Sequence, residues 1–338
     1  ADAIRAFIQA RFNDPATRPD ALLLVGDTPQ IPCFSGVSSD QPDTDLYYAC
    51  MDGGSDWVPE FPVGRLSASS LEELGAILDK VLAHDTAASA PWMTRAAFLA
   101  GLDRNTFTEG THEAVIAEQL DPLDYTSDRL YTSRGAQSAH VSAALNDGRL
   151  LAVYSGHGDA TGWSDGPPFD ADDVLALTNR DRYPIVFSFS CLTGRFGRPV
   201  CFAETWQRAA NRGAAGMLAS SVTSYWDEDD TLERLLFETV FQDGVTSWGE
   251  AIRRAKLKLL EAYGADFTIR RYFEQYNYFG DPAAVLRRPD LGFATSSDLP
   301  TARVGQAYET RFTALGGLDP TTWSAETPPP PGLALDPA

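Results

Sequence analysis

Short apolar runs alternate along this chain with segments of helical period. Ala21-Leu22-Leu23-Leu24-Val25 runs into Gly26-Asp27-Thr28-Pro29, which predicts a buried strand and its turn. Before it, Ile4, Phe7, Ile8 and Phe12 share one face of a helix over residues 3–12. Two further strands are expected, around Tyr47-Tyr48 and around Phe61-Pro62-Val63-Gly64. The clearest early helix runs from Leu71 to His84, with Leu71, Leu74, Ile77, Leu78, Val81 and Leu82 on its apolar face and Ser70 as its cap. The small-residue run Ala87-Ala88-Ser89-Ala90-Pro91 marks a boundary.

Beyond it a strand-then-helix rhythm sets in. Strands are predicted at Ala96–Ala100, Arg129–Thr132, Leu150–Tyr154, Ile185–Phe189 and Gly216–Ala219. Helices are predicted at 110–120, 137–146, 202–212, 231–241 and 247–263, with Gly213 and Gly264 as stops. Such alternation argues for a mostly parallel sheet with helices on both faces. From about Asp290 the texture turns to Thr, Gly and Pro between short apolar pieces, which reads as the opening strands of a β-sandwich. The expected organisation is an N-terminal α/β subdomain over 1–88, a second α/β subdomain over 89–288 and a partial β segment over 289–338.

Composition narrows the function classes. The 338 residues carry 47 acidic and 27 basic side chains, a net charge of −20, so nucleic acid and anionic membranes are poor partners. No apolar run approaches the roughly 18 residues of a membrane span. Four cysteines without a CxxC pair offer neither a disulfide scaffold nor a zinc site. Cys33 and Cys50 either pair in an oxidising compartment or remain two thiols in or near a core. The chain starts Ala1-Asp2-Ala3 without Met and reads as a mature or excised piece of something longer.

Two predicted strands end in reactive residues. One runs Leu150 to Tyr154 and then Ser155-Gly156-His157-Gly158. The other runs Ile185 to Ser190 and then Cys191-Leu192-Thr193-Gly194. In open α/β sheets, ligands bind outside the carboxyl ends of the strands, so neighbouring strands would set His157 beside Cys191. A thiolate beside an imidazole is a competent nucleophile. The glycines allow close substrate approach and free the Gly158 N–H to face an oxyanion. Taken singly, a strand-end Cys is more often packing and a His among glycines more often a turn residue; the pair carries the argument.

These two motifs resemble the His and Cys motifs of the caspase-like clan, and most closely the gingipain family of cysteine peptidases. The resemblance extends through Leu24-Val25-Gly26-Asp27, Pro62-Val63-Gly64-Arg65, Cys201-Phe202-Ala203-Glu204, Leu218-Ala219-Ser220-Ser221 to Trp226, and Phe279-Gly280-Asp281-Pro282. It covers about residues 1–288. It implies a caspase-like α/β fold with His157 as general base and acid and Cys191 as nucleophile. The N–H groups of Gly158 and Cys191 would form the oxyanion hole. Asp103, after the strand Ala96–Ala100, would orient the His; a turn role is its alternative. Glu109, three residues before His112, would hold a Lys or Arg side chain before the cut bond. Its alternative is to favour a helix N-terminus. Trp226 would wall that pocket; its alternative is an aromatic packed in the core or on the surface.

The resemblance further implies a secreted or cell-surface bacterial endopeptidase, made as a zymogen, that acts on protein or peptide substrates. Further domains of its own precursor would be its partners. No cofactor is required for the chemistry. Structural calcium is a family habit, and Asp227-Glu228-Asp229-Asp230, Asp52 and Asp56 offer oxygens for it, but a helix-start acidic run is more usually a dipole feature, so no ligands are assigned. The tail resembles an immunoglobulin-like repeat through Leu299-Pro300, Val304-Gly305, Tyr308, Thr322-Trp323-Ser324 and Pro331-Gly332-Leu333. Two rival readings remain: a thiol hydrolase that cuts mainly its own precursor, and a non-catalytic binding module on a peptidase fold.

Overall fold

The computed structural model describes residues 1–287 apart from 39 and 199, and beyond them residues 292–293, 299–303, 305–312, 314–315 and 323–335. The first stretch forms α1 (Asp2–Asn13), β1 (Leu22–Val25), β2 (Phe34–Ser35), β3 (Asp43–Thr44), β4 (Val63–Leu66) and α2 (Leu71–Thr86). Ser70 caps α2 by accepting the Glu73 N–H at 3.1 Å. The buried face of α2 is Ile77, Lys80, Val81 and His84, while Leu71, Leu78 and Leu82 are exposed. The apolar stripe of α2 is therefore wider than the surface it covers. β1 and β4 pair in parallel.

Tyr47 and Tyr48, expected in a strand, lie instead in a 3-10 turn over Leu46–Tyr48. The cause lies one residue earlier. Asp45 donates its N–H to Asn277 and grips Arg65 through two oxygens at 2.6 and 2.7 Å, which turns the chain. Strand-favouring aromatic composition concealed this. All four cysteines, including Cys33 and Cys50, are unpaired thiols.

The second stretch contains β5 (Arg95–Ala100), α3 (Asn105–Val115), β6 (Thr126–Tyr131), α4 (Ser138–Asp147) and β7 (Leu151–Ser155). A small antiparallel sheet follows, β8 (Gly158–Asp159), β9 (Gly162–Trp163) and β10 (Phe169–Asp170). Then come α5 (Ala171–Ala176), β11 (Ile185–Phe189), α6 (Phe202–Arg208), β12 (Gly216–Ser220), α7 (Trp226–Phe241), α8 (Trp248–Tyr263), α9 (Phe267–Gln275) and β13 (Tyr276–Phe279). The main sheet has the order β13-β12-β11-β7-β5-β6, parallel except for β13.

Every residue of β7, β11 and β12 is buried, as their unbroken apolar runs require. One face of the sheet, with Phe98, Val153 and Phe187, packs on Phe237, Trp248 and Leu259 of α7 and α8. The other, with Leu99, Ala152 and Val186, packs on Val141, Val174 and Trp206 of α4, α5 and α6. The stretch that carries β1 and β4 is tied to α6 by Arg208, which pairs with Asp27 at 2.9 Å and donates to the Ser67 carbonyl at 2.6 Å. The Gly26-Asp27 turn thus holds the helix that follows the nucleophile motif.

The expected immunoglobulin-like tail falls partly outside the described residues, Val304 and Thr322 among them. Within them, Gly292–Phe293 pairs antiparallel with Ala314–Leu315.

Candidate active site

The parallel register aligns Ala100 with Ser155 and Ser155 with Phe189. β5, β7 and β11 are therefore adjacent strands whose carboxyl ends lead to Asp103, His157 and Cys191. His157 Nε2 lies 2.9 Å from Asp103 Oδ2. A carboxylate can only accept, so the ring proton sits on Nε2 and Nδ1 is left as the basic nitrogen. The hydrogen bond from His157 holds the Asp103 carboxyl below its ordinary value. Both side chains are more than half exposed, 51% for His157 and 58% for Asp103. The Trp226 indole meets the His157 ring edge to face, with centroids 5.2 Å apart.

Cys191 and His157 line one open cleft of about 410 Å³ together with Arg104, Gly156, Phe189 and residues 223–229. The sulfur accepts the Ser224 N–H at 3.4 Å, and burial pushes the thiol above its ordinary value. The nucleophile therefore depends on its base to ionise. Leu192 follows it with a φ of 63°, in the left-handed region. That sharp turn is fixed by the Leu192 N–H donating to the Val222 carbonyl at 3.1 Å. A Cβ on Gly158 would stand 2.9 Å from Ser190 Oγ and 3.1 Å from the Cys191 carbonyl. Only glycine lets the His157 loop pack this closely on the nucleophile turn.

The structure brings Cys191, His157, Asp103 and Trp226 to this cleft, with Gly158 packed behind them. Glu109 stands apart. It lies on α3 but its carboxylate takes hydrogen bonds from Ser133 and Asn105 and does not line the cleft. The acid that does stand deep in the cleft wall is Asp229, one helical turn after Trp226 on α7 and only 7% exposed. Its carboxylate accepts from Ser224 Oγ at 2.6 Å, Tyr276 at 2.6 Å and Tyr272 at 2.9 Å. Burial pushes it up to about 7 against the lowering effect of these donors.

This strand-end arrangement can now be set against known proteins. The family model of peptidase family C25 matches residues 1–287.

The chain belongs to peptidase family C25.

It is 35% identical to Lys-gingipain of Porphyromonas gingivalis over 235 residues, which cover 67% of this chain and 13% of that protein. Against gingipain R2 of the same organism it is 27% identical over 305 residues, 85% of this chain and 40% of the other. The chain thus spans well under half the length of the curated relatives named here. Its fold matches the crystal structure of the Arg-specific cysteine proteinase gingipain R with a TM-score of 0.77 at 22% identity, over 88% of this chain and 72% of that one. This match shows a caspase-like fold, mixed α/β around a mostly parallel sheet.

Two features around the cleft were not read from sequence. Asp229 was hidden in an acidic run that resembles a helix cap; its spacing of three from Trp226, on the face that also carries buried Leu232 and Leu236, was the available signal. Behind the cleft, Ser155 Oγ bridges His112 Nε2 at 3.1 Å and Glu233 at 3.0 Å, all three buried. No sequence spacing connects three residues from α3, β7 and α7. In the acidic run, Asp227 pairs with Arg104, Asp230 with Arg234, and Asp229 accepts from hydroxyls. Asp56 accepts the N–H groups of Asp52 and Val58, a turn role. Among the described residues, no group of three or more His, Cys, Asp or Glu side chains is disposed to hold a metal ion.

Proposed function

We propose that this chain is a cysteine endopeptidase that cuts peptide bonds after Lys or Arg. The observation that carries the reading is the single cleft that holds Cys191, the Asp103-oriented His157 and the buried Asp229. His157 Nδ1 takes the Cys191 proton, and the thiolate attacks the scissile carbonyl carbon. Charge moves to the carbonyl oxygen, where the N–H groups of Gly158 and Cys191 are suited to stabilise it. As the carbon–nitrogen bond breaks, the imidazolium returns its proton to the leaving amine and a thioester remains. Water, deprotonated by the same imidazole, then hydrolyses the thioester.

Asp229, rather than Glu109, is the carboxylate suited to a basic side chain. It is buried, so attraction to a cation is little screened, and Trp226 beside it suits the aliphatic stem. The gingipain names of the relatives, one Lys-type and others R-type, support a basic preference. Secretion or surface display in a bacterium is part of the same proposal and rests on those relatives alone. The test is a peptide panel that varies only the residue before the cut. Peptides with Lys or Arg are expected to be turned over at least tenfold faster than those with Gln, Glu or Leu. Equal rates across the panel would overturn the assignment of Asp229.

A further inference from the structure

The bond between Asp103 and His157 joins two largely exposed side chains on two different loops, so packing does not impose it. An exposed carboxylate–imidazole contact of this kind holds its geometry only where its backbones are anchored. The anchors are Tyr154 on β7 and two residues that follow β9, Ser164 and Asp165. The Ser164 N–H donates to the His157 carbonyl at 2.9 Å, and the Tyr154 hydroxyl donates to the same oxygen at 2.7 Å. The next residue, Asp165, accepts the Asp103 N–H on its Oδ2 at 2.9 Å. Two consecutive residues thus grip both members of the pair.

The seat of Asp165 is built for it. A Cβ on Gly101 would lie 2.2 Å from Asp165 Oδ2 and 2.8 Å from its Cγ, so the carboxylate occupies the space that a side chain at 101 would fill. The hairpin that carries Asp165 is itself fixed to the nucleophile's strand. Trp163 stacks on Tyr154, with centroids 4.5 Å apart and planes 15° apart, and donates from Nε1 to Ser188 on β11 at 2.9 Å. The line Ser188–Trp163–Asp165–Asp103 therefore references the orienting carboxylate to the strand that ends at Cys191.

We propose that Asp165 is a positioning residue for catalysis, which sets Asp103 against His157 by holding the Asp103 N–H. The inference rests on the peptidase reading above. It assigns Asp165 no contact with substrate. Its loss lets the Asp103 loop drift and leaves the imidazole free to rotate away from the sulfur. Displacements of about 1 Å in such groups cost up to roughly a hundredfold in rate.

The test compares Asp165→Ala, Asp165→Asn, Asp103→Ala and the double variant Asp103→Ala/Asp165→Ala. Asp165→Ala is expected to lower kcat about tenfold or more with KM within about twofold. Asp165→Asn keeps an accepting oxygen and should restore most of that loss. In the Asp103→Ala background, Asp165→Ala should add nothing, because both act through one contact. A merely structural role would instead give losses that multiply, and Asn no better than Ala; either result overturns the proposal. The imidazole ¹⁵N spectrum, assigned with His157→Ala, supplies a readout that needs no turnover. The bonded Nε2–H signal of His157 should persist in wild type and Asp165→Asn and vanish in Asp165→Ala. Its persistence in Asp165→Ala overturns the proposal. Absence of any Cys191-dependent turnover in wild type would overturn the peptidase reading and leave the spectrum to decide this inference.

Discussion

Across the cleft two carboxylates are held by opposite means. Asp103 is 58% exposed and meets His157 through one 2.9 Å bond. Asp229 is 7% exposed, takes three hydroxyl donors, and titrates near 7 rather than in the ordinary carboxylate range. Under the proposed function, the difference follows from their tasks. A group that steadies a proton carrier must stay ionised and tolerate a ring whose charge changes in every cycle, and water does that well. A group that selects a cation gains from a dry setting, where attraction is stronger, but its own ionisation then becomes costly. The exposed half is fixed by backbone anchors and the buried half by its side-chain network.

The largest expected effect removes what both halves serve. Cys191→Ala should abolish turnover, by about 10⁴-fold or more, with the fold intact by circular dichroism. Retained turnover would dissolve the comparison, since neither carboxylate would then flank a nucleophile. Next is Asp229→Asn, which should cut kcat/KM for Lys and Arg peptides roughly a hundredfold and leave peptides with neutral residues almost unchanged. A uniform loss across all peptides would place Asp229 with the catalytic half instead.

The pH dependence separates the halves further. Ionised Asp229 is the form that binds a cation, so kcat/KM for basic peptides should rise as pH rises through about 7. Its folded value is raised above that of an unfolded carboxyl, so the stability it contributes is full below about 4 and lost as pH rises through 7. Melting temperatures of wild type and Asp229→Asn across pH 4–8 should converge or cross in that window; parallel curves would contradict it. Tyr276→Phe removes one donor from Asp229. It should move the kinetic midpoint upward and cost roughly two- to tenfold on basic peptides at pH 7, with no change for neutral ones. The smallest effect is expected at Arg104. Its pair with Asp227 spans 3.9 Å between exposed side chains, so Arg104→Ala should change kcat/KM by less than about twofold.

How far the chain revealed itself differs by region for physical reasons. Ile185-Val186-Phe187 declared a buried strand because a strand covered on both faces must be continuously apolar. The sheet of β8 to β10 was not foreseen, because two-residue strands of Gly, Asp and Trp have the composition of a loop. α9 was missed although Ile269, Tyr272 and Phe273 fall at helical spacing, because it is short and its buried set also includes the polar Arg271, Glu274 and Gln275. At the candidate site, the placing of His157 and Cys191 at neighbouring strand ends was legible. The acid proposed to select the substrate was not, because four consecutive acidic residues look alike until the helix turn is known. Asp227 then faces water at 72% exposure and Asp229 faces inward. The Glu109 carboxylate accepts from Ser133, after β6, and lies off the cleft.

The order of strands has a last consequence, for the time course of synthesis. Asp103, His157 and Cys191 come from three neighbouring strands, yet the dry floor around Asp229 is closed by Tyr272 and Tyr276, near the end of the sheet's sequence. Contacts between segments so far apart in the chain form late, because distant segments must meet before any contact rewards them. As the chain emerges from the ribosome, Asp229 precedes by 43 and 47 residues the two tyrosines that hold it. Until α9 and β13 have docked, its carboxylate lacks two of its three hydroxyl donors.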